Sequence, residues 1–264
     1  MSHPFDNRSA GAVFLCYHSI AERGAPYLSL PRETFARQLG MLRRLGYRSG
    51  GVADLRRLAR GERLPGRTVF LTFDDGFRDN YEVAMPLLRE HGFHPLIFLL
   101  PGHVDHGAAL DWAEVAEYHA REPELMRSLT WPQVEEMVSL GAEFGGHTIT
   151  HPHLCDLDDG ALAGELGESR SLVEARLGSC EVLAYPFGEW DERVARAAEA
   201  AGYRFALSLP QGPQRAGGAL CIPRVNVDRR DRGWRFALKV APFGRRLLLS
   251  DLGEQLRRLR KGVR

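Results

Sequence analysis

Cysteine is scarce in this chain of 264 residues, and the four that it has lie far apart in the sequence. No CxxC pair is present, so a disulfide scaffold and a zinc site built on thiolates are both unexpected. Three of the four lie in or beside apolar segments, which predicts buried, reduced thiols of a cytosolic protein. The cysteines are Cys16, Cys155, Cys180 and Cys221.

Long hydrophobic runs are also lacking. The first twenty residues contain no basic region followed by an extended apolar stretch, and no later segment is long and apolar enough to span a bilayer. The sequence therefore shows no signal peptide or transmembrane segment. We expect a cytoplasmic protein, with peripheral attachment at the inner membrane face as the alternative.

An excess of charge is missing as well, since 35 Lys and Arg stand against 34 Asp and Glu. A nucleic-acid-binding protein usually has a clear basic excess, so no nucleic-acid partner is expected. Residues 239–264 differ, with eight basic side chains against two acidic ones and leucines at roughly helical spacing. This pattern predicts a domain over residues 1–238 and a basic amphipathic tail over 239–264. The tail would pack on the domain as a solvated helix or contact an anionic membrane.

Short apolar segments rich in β-forming residues alternate with helical patterns along most of the chain. Such alternation predicts an α/β fold with mostly parallel strands and crossover helices. Periodicity does not separate a closed barrel from an open doubly wound sheet, but in both the functional groups lie at the carboxyl ends of the strands. The seven predicted strands cover 13–17, 69–73, 96–100, 143–146, 182–185, 205–209 and 220–227.

Two adjacent carboxylates, Asp74 and Asp75, follow the apolar segment 69–73 and precede Gly76. Side chains alternate along a strand, so the two acids diverge unless the chain turns there. Gly76 permits such a turn. Because both acids lie at the mouth of a parallel sheet, we expect them to have separate roles.

A second group of polar residues, His147 and His151, follows the predicted strand 143–146. Two histidines four residues apart suit one metal ion if the segment is helical or tightly turned. Together with one Asp they form a facial set of three ligands, which leaves positions for water and substrate. That arrangement is typical of a catalytic metal site.

These motifs resemble those of the polysaccharide deacetylase family, also called the NodB-homology or carbohydrate esterase family 4 domain. Thr72–Gly76 and His147–His151 match its two metal motifs in order and separation. Ala184–Gly188 resembles its Pro-aromatic-Gly segment, and Leu15–Ile20 resembles a strand of the exopolysaccharide and poly-N-acetylglucosamine deacetylase subgroup. The resemblance extends over residues 12–227.

The resemblance implies a distorted (β/α)7 barrel and a metal-dependent hydrolase. Asp75, His147 and His151 would bind one divalent metal, most often Zn2+, with Co2+, Ni2+ or Mn2+ as alternatives. Asp74 would be the general base that takes a proton from water on the metal, and the backbone N–H near Phe187 would hold the oxyanion. The reaction would release acetate from N-acetyl groups of an amino-sugar polysaccharide or a lipid-linked saccharide.

The chain departs from the family in two places. Many members have an Arg where this chain has Ala184, and many have a late His that serves as general acid where this chain has Arg224. We therefore hypothesise that Arg224 replaces the missing Arg beside Asp74, and that His18 acts as the acid or contacts the substrate. Both residues lie near predicted strand ends.

Aromatic residues beside the third motif suit the C–H faces of sugar rings, and Tyr185, Phe187 and Trp190 are our candidates for substrate contacts. Two other functions stay open. One is a C–N hydrolase on a small amide or ureide, or an O-deacetylase, with the same site. The other is a carbohydrate-binding homologue without turnover, suggested by the missing Arg and His.

Overall fold

The computed structural model describes residue 5 and residues 12–104, 107–209 and 218–248. Among these residues the strands are β1 (Ala12–Tyr17), β2 (Tyr47–Ser49), β3 (Arg67–Phe73), β4 (Pro95–Leu99), β5 (Glu143–Gly146), β6 (Val182–Ala184), β7 (Phe205–Ser208), β8 (Ile222–Pro223) and β9 (Val225–Asn226). The α-helices are α1 (Arg32–Arg44), α2 (Val52–Ala59), α3 (Met85–His91), α4 (Pro101–Val104), α5 (Ala116–Arg121), α6 (Trp131–Ser139), α7 (Asp159–Leu177), α8 (Glu192–Ala200), α9 (Trp234–Val240) and α10 (Pro242–Leu248).

The strands form one parallel sheet in the order β8-β7-β6-β5-β4-β3-β1-β9. Strands β8 and β9 lie at opposite ends of this order, although only Arg224 separates them in the chain. The backbone N–H of Arg224 donates to Ser208 on one edge, and that of Val227 donates to Cys16 on the other. One extended segment thus joins both edges into a nearly closed barrel, which confirms the predicted barrel and excludes the open sheet.

Alternation along the strands divides the core into two parts. On β1 and β3, Phe14 and Phe70 belong to a cluster with residues of β4, β6, β7 and β8, and their rings stack at 4.3 Å. Their neighbours Val13 and Val69 belong to a larger cluster with the helices. Since side chains alternate along a strand, the first cluster fills the barrel and the second covers its outside.

The sequence prediction missed β2 and α2, which lie between α1 and β3. Strand β2 has three half-buried residues and pairs only with the first residues of β3, while β4 pairs with the last ones. A strand of three residues is too short to show alternation, so its position depends on pairing with β3. The single strand predicted over 220–227 is divided into β8 and β9.

Helices α9 and α10 follow the barrel. Lys239 of α9 donates hydrogen bonds to the Asp231 carboxylate at 2.5 Å and to the Asn226 carbonyl at 2.6 Å, which attaches α9 to β9. The predicted domain boundary between residues 238 and 239 falls within α9. The amphipathic tail stays a prediction, because residues 249–264 lie outside the described residues.

No helix in the described part of the chain combines the length and the apolar character that crossing a membrane requires.

Candidate metal centre and active site

The two adjacent carboxylates diverge because the backbone turns between them. The N–H of Asp74 donates to Tyr17 at 2.9 Å, so Asp74 continues the ladder between β3 and β1. Asp75 has φ 69° and Gly76 has φ 66°, and both lie in the left-handed region. Asp74 therefore keeps the barrel-facing direction of Thr72, whereas Asp75 turns towards the loop after β5.

Asp75, His147 and His151 converge in a buried cluster. The Asp75 Oδ1 atom lies 3.2 Å from His147 Nε2 and 3.5 Å from His151 Nε2. One ligand atom from each residue lies within 4.8 Å of the others. All three side chains are almost completely buried. The structure therefore brings together the three ligands predicted from the sequence.

The donor atoms of this cluster fit a divalent cation. His147 Nδ1 lies 2.7 Å from the Ala184 carbonyl oxygen. A carbonyl oxygen can only accept a hydrogen bond, so Nδ1 carries the proton. The lone pair of Nε2, the nitrogen that faces Asp75, is then free to bind a metal. Neither carboxylate oxygen of Asp75 has a hydrogen-bond partner among the described residues. Two imidazole nitrogens and a buried, unpartnered carboxylate form a donor set suited to zinc, and the carbonyl that orients His147 is a typical outer contact of such a site.

The charges of the cluster favour the metal-binding forms of Asp75 and His151, but not that of His147. Burial lowers the pKa of His151 to about 3, so this imidazole is neutral at pH 7. Burial raises the pKa of Asp75, but the neighbouring histidines outweigh it, and the pKa is lowered overall. Burial lowers the pKa of His147, but Asp75 and Asp74 raise it by more, so the pKa lies above its ordinary value. A metal would therefore compete with a proton for this ring.

Backbone strain is concentrated in the loops of the site. Among the described residues, four non-glycine residues have positive φ: Asp75 (69°), Thr148 (71°), His151 (61°) and Phe187 (57°). Such conformations cost about 1–3 kcal/mol each and persist where the surrounding structure enforces them. Two are metal-ligand candidates and the others lie on the loops that carry the site, so the strain serves the geometry of the site.

Asp74 is bound by Arg224 in a bidentate ion pair inside the barrel. Arg224 donates from Nη1 to Oδ1 at 2.6 Å and from Nη2 to Oδ2 at 2.7 Å, and Arg224 is fully buried. Cys16 Sγ donates to Asp74 Oδ2 at 3.3 Å. Burial raises the pKa of Asp74, but Arg224, together with His147 and His18, outweighs this effect and holds the pKa well below its usual range. Asp74 is therefore ionised beside the cluster of Asp75, His147 and His151, and Arg224 lies beside Asp74, as the sequence hypothesis expected.

His18 lies at the end of β1, close to the same carboxylate. Its Nε2 atom is 4.0 Å from Asp74 Oδ2, and its Nδ1 atom is buried with no hydrogen-bond partner in the described part of the chain. The Asn80 amide donates to the His18 carbonyl at 2.8 Å and fixes the backbone there. Burial lowers the pKa of His18, although Asp75 and Asp74 oppose this effect. His18 thus lies beside Asp74, with one ring nitrogen unpartnered among the described residues.

Aromatic rings surround His151, the second histidine of the candidate ligand set. The His151 ring stacks on Trp112 with centroids 4.2 Å apart and meets Phe187 edge-on at 4.5 Å. The ring of His153 stacks on that of Phe187, with centroids 4.0 Å apart. His153 also contacts the carboxylates of Glu189 and Glu114 at 2.8 and 3.1 Å. Trp112 and Phe187 thus form an aromatic rim around His151. From the sequence alone, Trp112 was a weaker candidate than the aromatic residues beside the third motif, because it lies in the long segment between β4 and α6.

The other two aromatic candidates lie deeper than the sequence analysis expected. Tyr185 is fully buried, its hydroxyl donates to the Leu220 carbonyl at 2.9 Å, and its ring lies 6.5 Å from that of Trp190. A buried ring has no face for a sugar, so the assignment of Tyr185 to substrate stacking was wrong. Trp190 is partly buried and packs against the outer core, and its contact with substrate stays a prediction.

Comparison with known proteins agrees with this geometry. Residues 61–206, more than half of the chain, match the family described as polysaccharide deacetylase.

The chain belongs to the polysaccharide deacetylase family.

Membership of this family confirms the expectation of a hydrolase acting on carbon–nitrogen bonds. The chain is 27% identical to the Bacillus subtilis protein YxkH, which bears the same family name, over 84% of this chain and 73% of that protein. It is 23% identical to the poly-beta-1,6-N-acetyl-D-glucosamine N-deacetylase of Escherichia coli K12 over 87% of this chain, but it spans only 38% of that protein.

A solved structure shows the same fold. The Streptococcus pyogenes deacetylase PplD, determined in complex with acetate, superposes with a TM-score of 0.75 and 23% identity. The match covers 88% of this chain and 98% of that one. At this level of identity, the likeness supports the barrel fold alone.

Proposed function

We propose that this chain is a metal-dependent deacetylase that removes N-acetyl groups from an amino-sugar polysaccharide or a lipid-linked saccharide. The observation that carries the proposal is the pair of adjacent acids with separate partners. Asp75 meets two histidines, and Asp74 stays ionised beside them. The E. coli relative is named for N-deacetylation of a poly-N-acetylglucosamine, and the PplD structure contains acetate, the product of such a reaction.

Asp75, His147 and His151 would hold the metal, for which Zn2+ is our first candidate, with Co2+, Ni2+ or Mn2+ as alternatives. When bound, the metal would lower the pKa of a coordinated water towards about 7 and polarise the amide carbonyl. Asp74 accepts the proton of the attacking water, because it is the ionised carboxylate next to the ligands. A base placed in this way contributes about 10²–10⁴-fold to the rate.

Arg224 has a positioning role in this proposal. Its two parallel hydrogen bonds fix the plane of the Asp74 carboxylate and keep it ionised at neutral pH. Its guanidinium lies over the ring of Phe98, 5.6 Å from the centroid, so the cation is held from a second side. Ala184, where many members have an Arg, belongs to the same barrel cluster as Phe98. In this chain, the arginine that pairs with Asp74 therefore lies between β8 and β9.

His18 is our candidate for the proton donor to the leaving nitrogen. Its Nε2 atom lies 4.0 Å from Asp74 Oδ2, so exchange of a proton with the protonated base would require the two groups to approach to hydrogen-bond distance, and its Nδ1 atom has no partner among the described residues. Phe187, on the rim beside His151, would place its backbone N–H near the oxyanion. Losing one oxyanion donor costs about 2.7–4 kcal/mol of transition-state stabilisation.

Acetate release tests the proposed function directly. The purified chain should release acetate from β-1,6-linked N-acetylglucosamine oligomers, lose this activity after dialysis against a chelator, and regain it when Zn2+ is added. An Asp75→Asn variant is the matched control and should not respond to added metal. Activity that survives complete metal removal would contradict the proposal.

The same assay separates the alternatives. Hydrolysis of small amides or O-acetyl esters in preference to the oligomers would favour the second enzymatic reading. A chain that binds stoichiometric metal and the oligomers but releases no acetate would be a carbohydrate-binding homologue. The rim of Trp112 and Phe187 around His151 is compatible with sugar rings, which favours the saccharide.

A further inference from the structure

The loop between the two histidine ligands is held by a carboxylate from outside the metal cluster. Glu165 accepts hydrogen bonds from the backbone N–H of Ile149 at 2.7 Å and of Thr150 at 3.1 Å, both at its Oε2 atom. Its other oxygen accepts the Thr150 hydroxyl at 2.6 Å. One side chain therefore receives three hydrogen bonds from the two residues between Thr148 and His151.

This loop needs such support because its backbone is strained at both ends. Thr148 has φ 71° and His151 has φ 61°, conformations that are unfavourable for residues with a side chain. Inside the loop, the hydroxyl of Thr148 accepts the N–H of His151 at 3.1 Å. The left-handed turn that follows His147 directs the N–H groups of Ile149 and Thr150 to the same side, and Glu165 supplies the acceptor that both require.

The helix that carries Glu165 is held in place by the core. Glu165 lies in α7, a helix of 19 residues whose Leu162 and Leu166 are buried in the outer core. The side chain of Asp158 caps this helix by accepting the N–H of Ala161 at 2.8 Å. A loop hydrogen-bonded to such a helix has its conformation fixed by the core of the domain, before any metal binds.

We propose that Glu165 is a positioning residue of the metal site, which holds the His147–His151 loop in the conformation that brings both imidazoles to Asp75. The proposal rests on the proposed function, because it assumes that these three residues bind a metal. Glu165 acts through the loop, since its hydrogen bonds within the described part of the chain go to Ile149 and Thr150. It is therefore distinct from the ligands and from the general base.

The chain offers a matched set of variants. Glu165→Ala removes all three hydrogen bonds while keeping a residue that favours a helix. Glu165→Gln keeps an oxygen for the two N–H groups, and its amide can donate to the Thr150 hydroxyl oxygen. Glu168→Ala is the control, because Glu168 lies in the same helix, has the same chemistry and is exposed.

The decisive measurement is the dissociation constant for Zn2+, obtained by competition with a chromophoric chelator. Outer contacts of metal ligands typically contribute 10–100-fold to affinity, so Glu165→Ala should bind Zn2+ about 10–100-fold more weakly than wild type. Glu165→Gln should stay within about threefold and Glu168→Ala should be unchanged. Equal dissociation constants for Glu165→Ala and Glu168→Ala would overturn the proposal, as would a Glu165→Gln variant as weak as Glu165→Ala.

Amide hydrogen exchange of the metal-free chain gives a second readout that needs neither metal nor turnover. The peptide spanning 147–153 should exchange faster in Glu165→Ala than in Glu168→Ala, with equal exchange in the barrel strands. Unchanged exchange in this peptide would also overturn the proposal. A wild-type chain that binds Zn2+ but releases no acetate would contradict the proposed function alone, whereas one that binds no Zn2+ would overturn both.

Discussion

An Asp74→Asn variant is expected to release acetate about 10²–10⁴-fold more slowly than wild type and to bind Zn2+ with nearly unchanged affinity. The rate falls because an amide cannot accept the proton of the attacking water, and a positioned base contributes a factor of this size. Affinity is maintained because Asp75, His147 and His151 hold the metal without Asp74. Single-turnover acetate release and chelator competition measure the two effects separately.

Substitution of the neighbouring carboxylate, Asp75, is expected to affect metal binding as well as the rate. Asp75→Asn should lose Zn2+ affinity and activity together, because it removes the charged ligand from the cluster. The two variants differ by one position in the chain and make the same chemical change, so each is the control for the other. If Asp74→Asn retained wild-type turnover, Asp74 could not be the base and the proposed mechanism would be wrong.

An Arg224→Met variant is expected to lose about 3–5 kcal/mol of unfolding free energy. Removing one partner of a buried ion pair leaves the other charge uncompensated in the barrel. Arg37→Met is the control, since Arg37 pairs with Glu33 on an exposed helix surface and such pairs contribute about 0–1 kcal/mol. Urea unfolding followed by circular dichroism measures both. An Arg224→Met cost as small as that of Arg37→Met would show that the bidentate pair does not stabilise the barrel.

The same pair predicts how this stability difference depends on pH. The pKa of Asp74 is lowered in the folded chain, whereas in the unfolded chain a carboxyl has its ordinary value of about 3.9. A group of this kind contributes stability that is fully present above the unfolded pKa and is lost as the pH falls through the folded one. The difference between wild type and Arg224→Met should therefore narrow below about pH 4. A difference that widens in acid would contradict this account.

Most of the candidate site could be predicted from local sequence, because its residues follow strands in short motifs. Asp74, Asp75, His147 and His151 each lie within a few residues of a strand end, and parallel strands bring those ends to one edge of the barrel. The predictions that required contacts between distant segments were less complete. Arg224 and His18 were placed near Asp74 from their positions at strand ends, without the bidentate geometry that the structure shows.

Errors arose where burial depends on packing between elements. Tyr185 follows β6 and reads in the sequence as an aromatic beside a functional motif, yet it is fully buried and its hydroxyl is bound to Leu220. Trp112 lies in a segment with no strong periodicity, yet the folded segment stacks it on His151. In both cases the neighbours are far away in the chain, so no local pattern indicated which ring faces the site.

The sequence by itself determined the alternation of strands and helices, and it indicated the candidate ligands and, through the family resemblance, the candidate base, because these depend on residue types within short motifs. Only the tertiary structure decided that the barrel closes through the segment around Arg224, that Arg224 pairs with Asp74, and that Glu165 supports the ligand loop. Each of these contacts joins residues that are at least 15 positions apart in the chain. Contacts at that separation depend on how the helices and strands pack, and a linear pattern does not record packing.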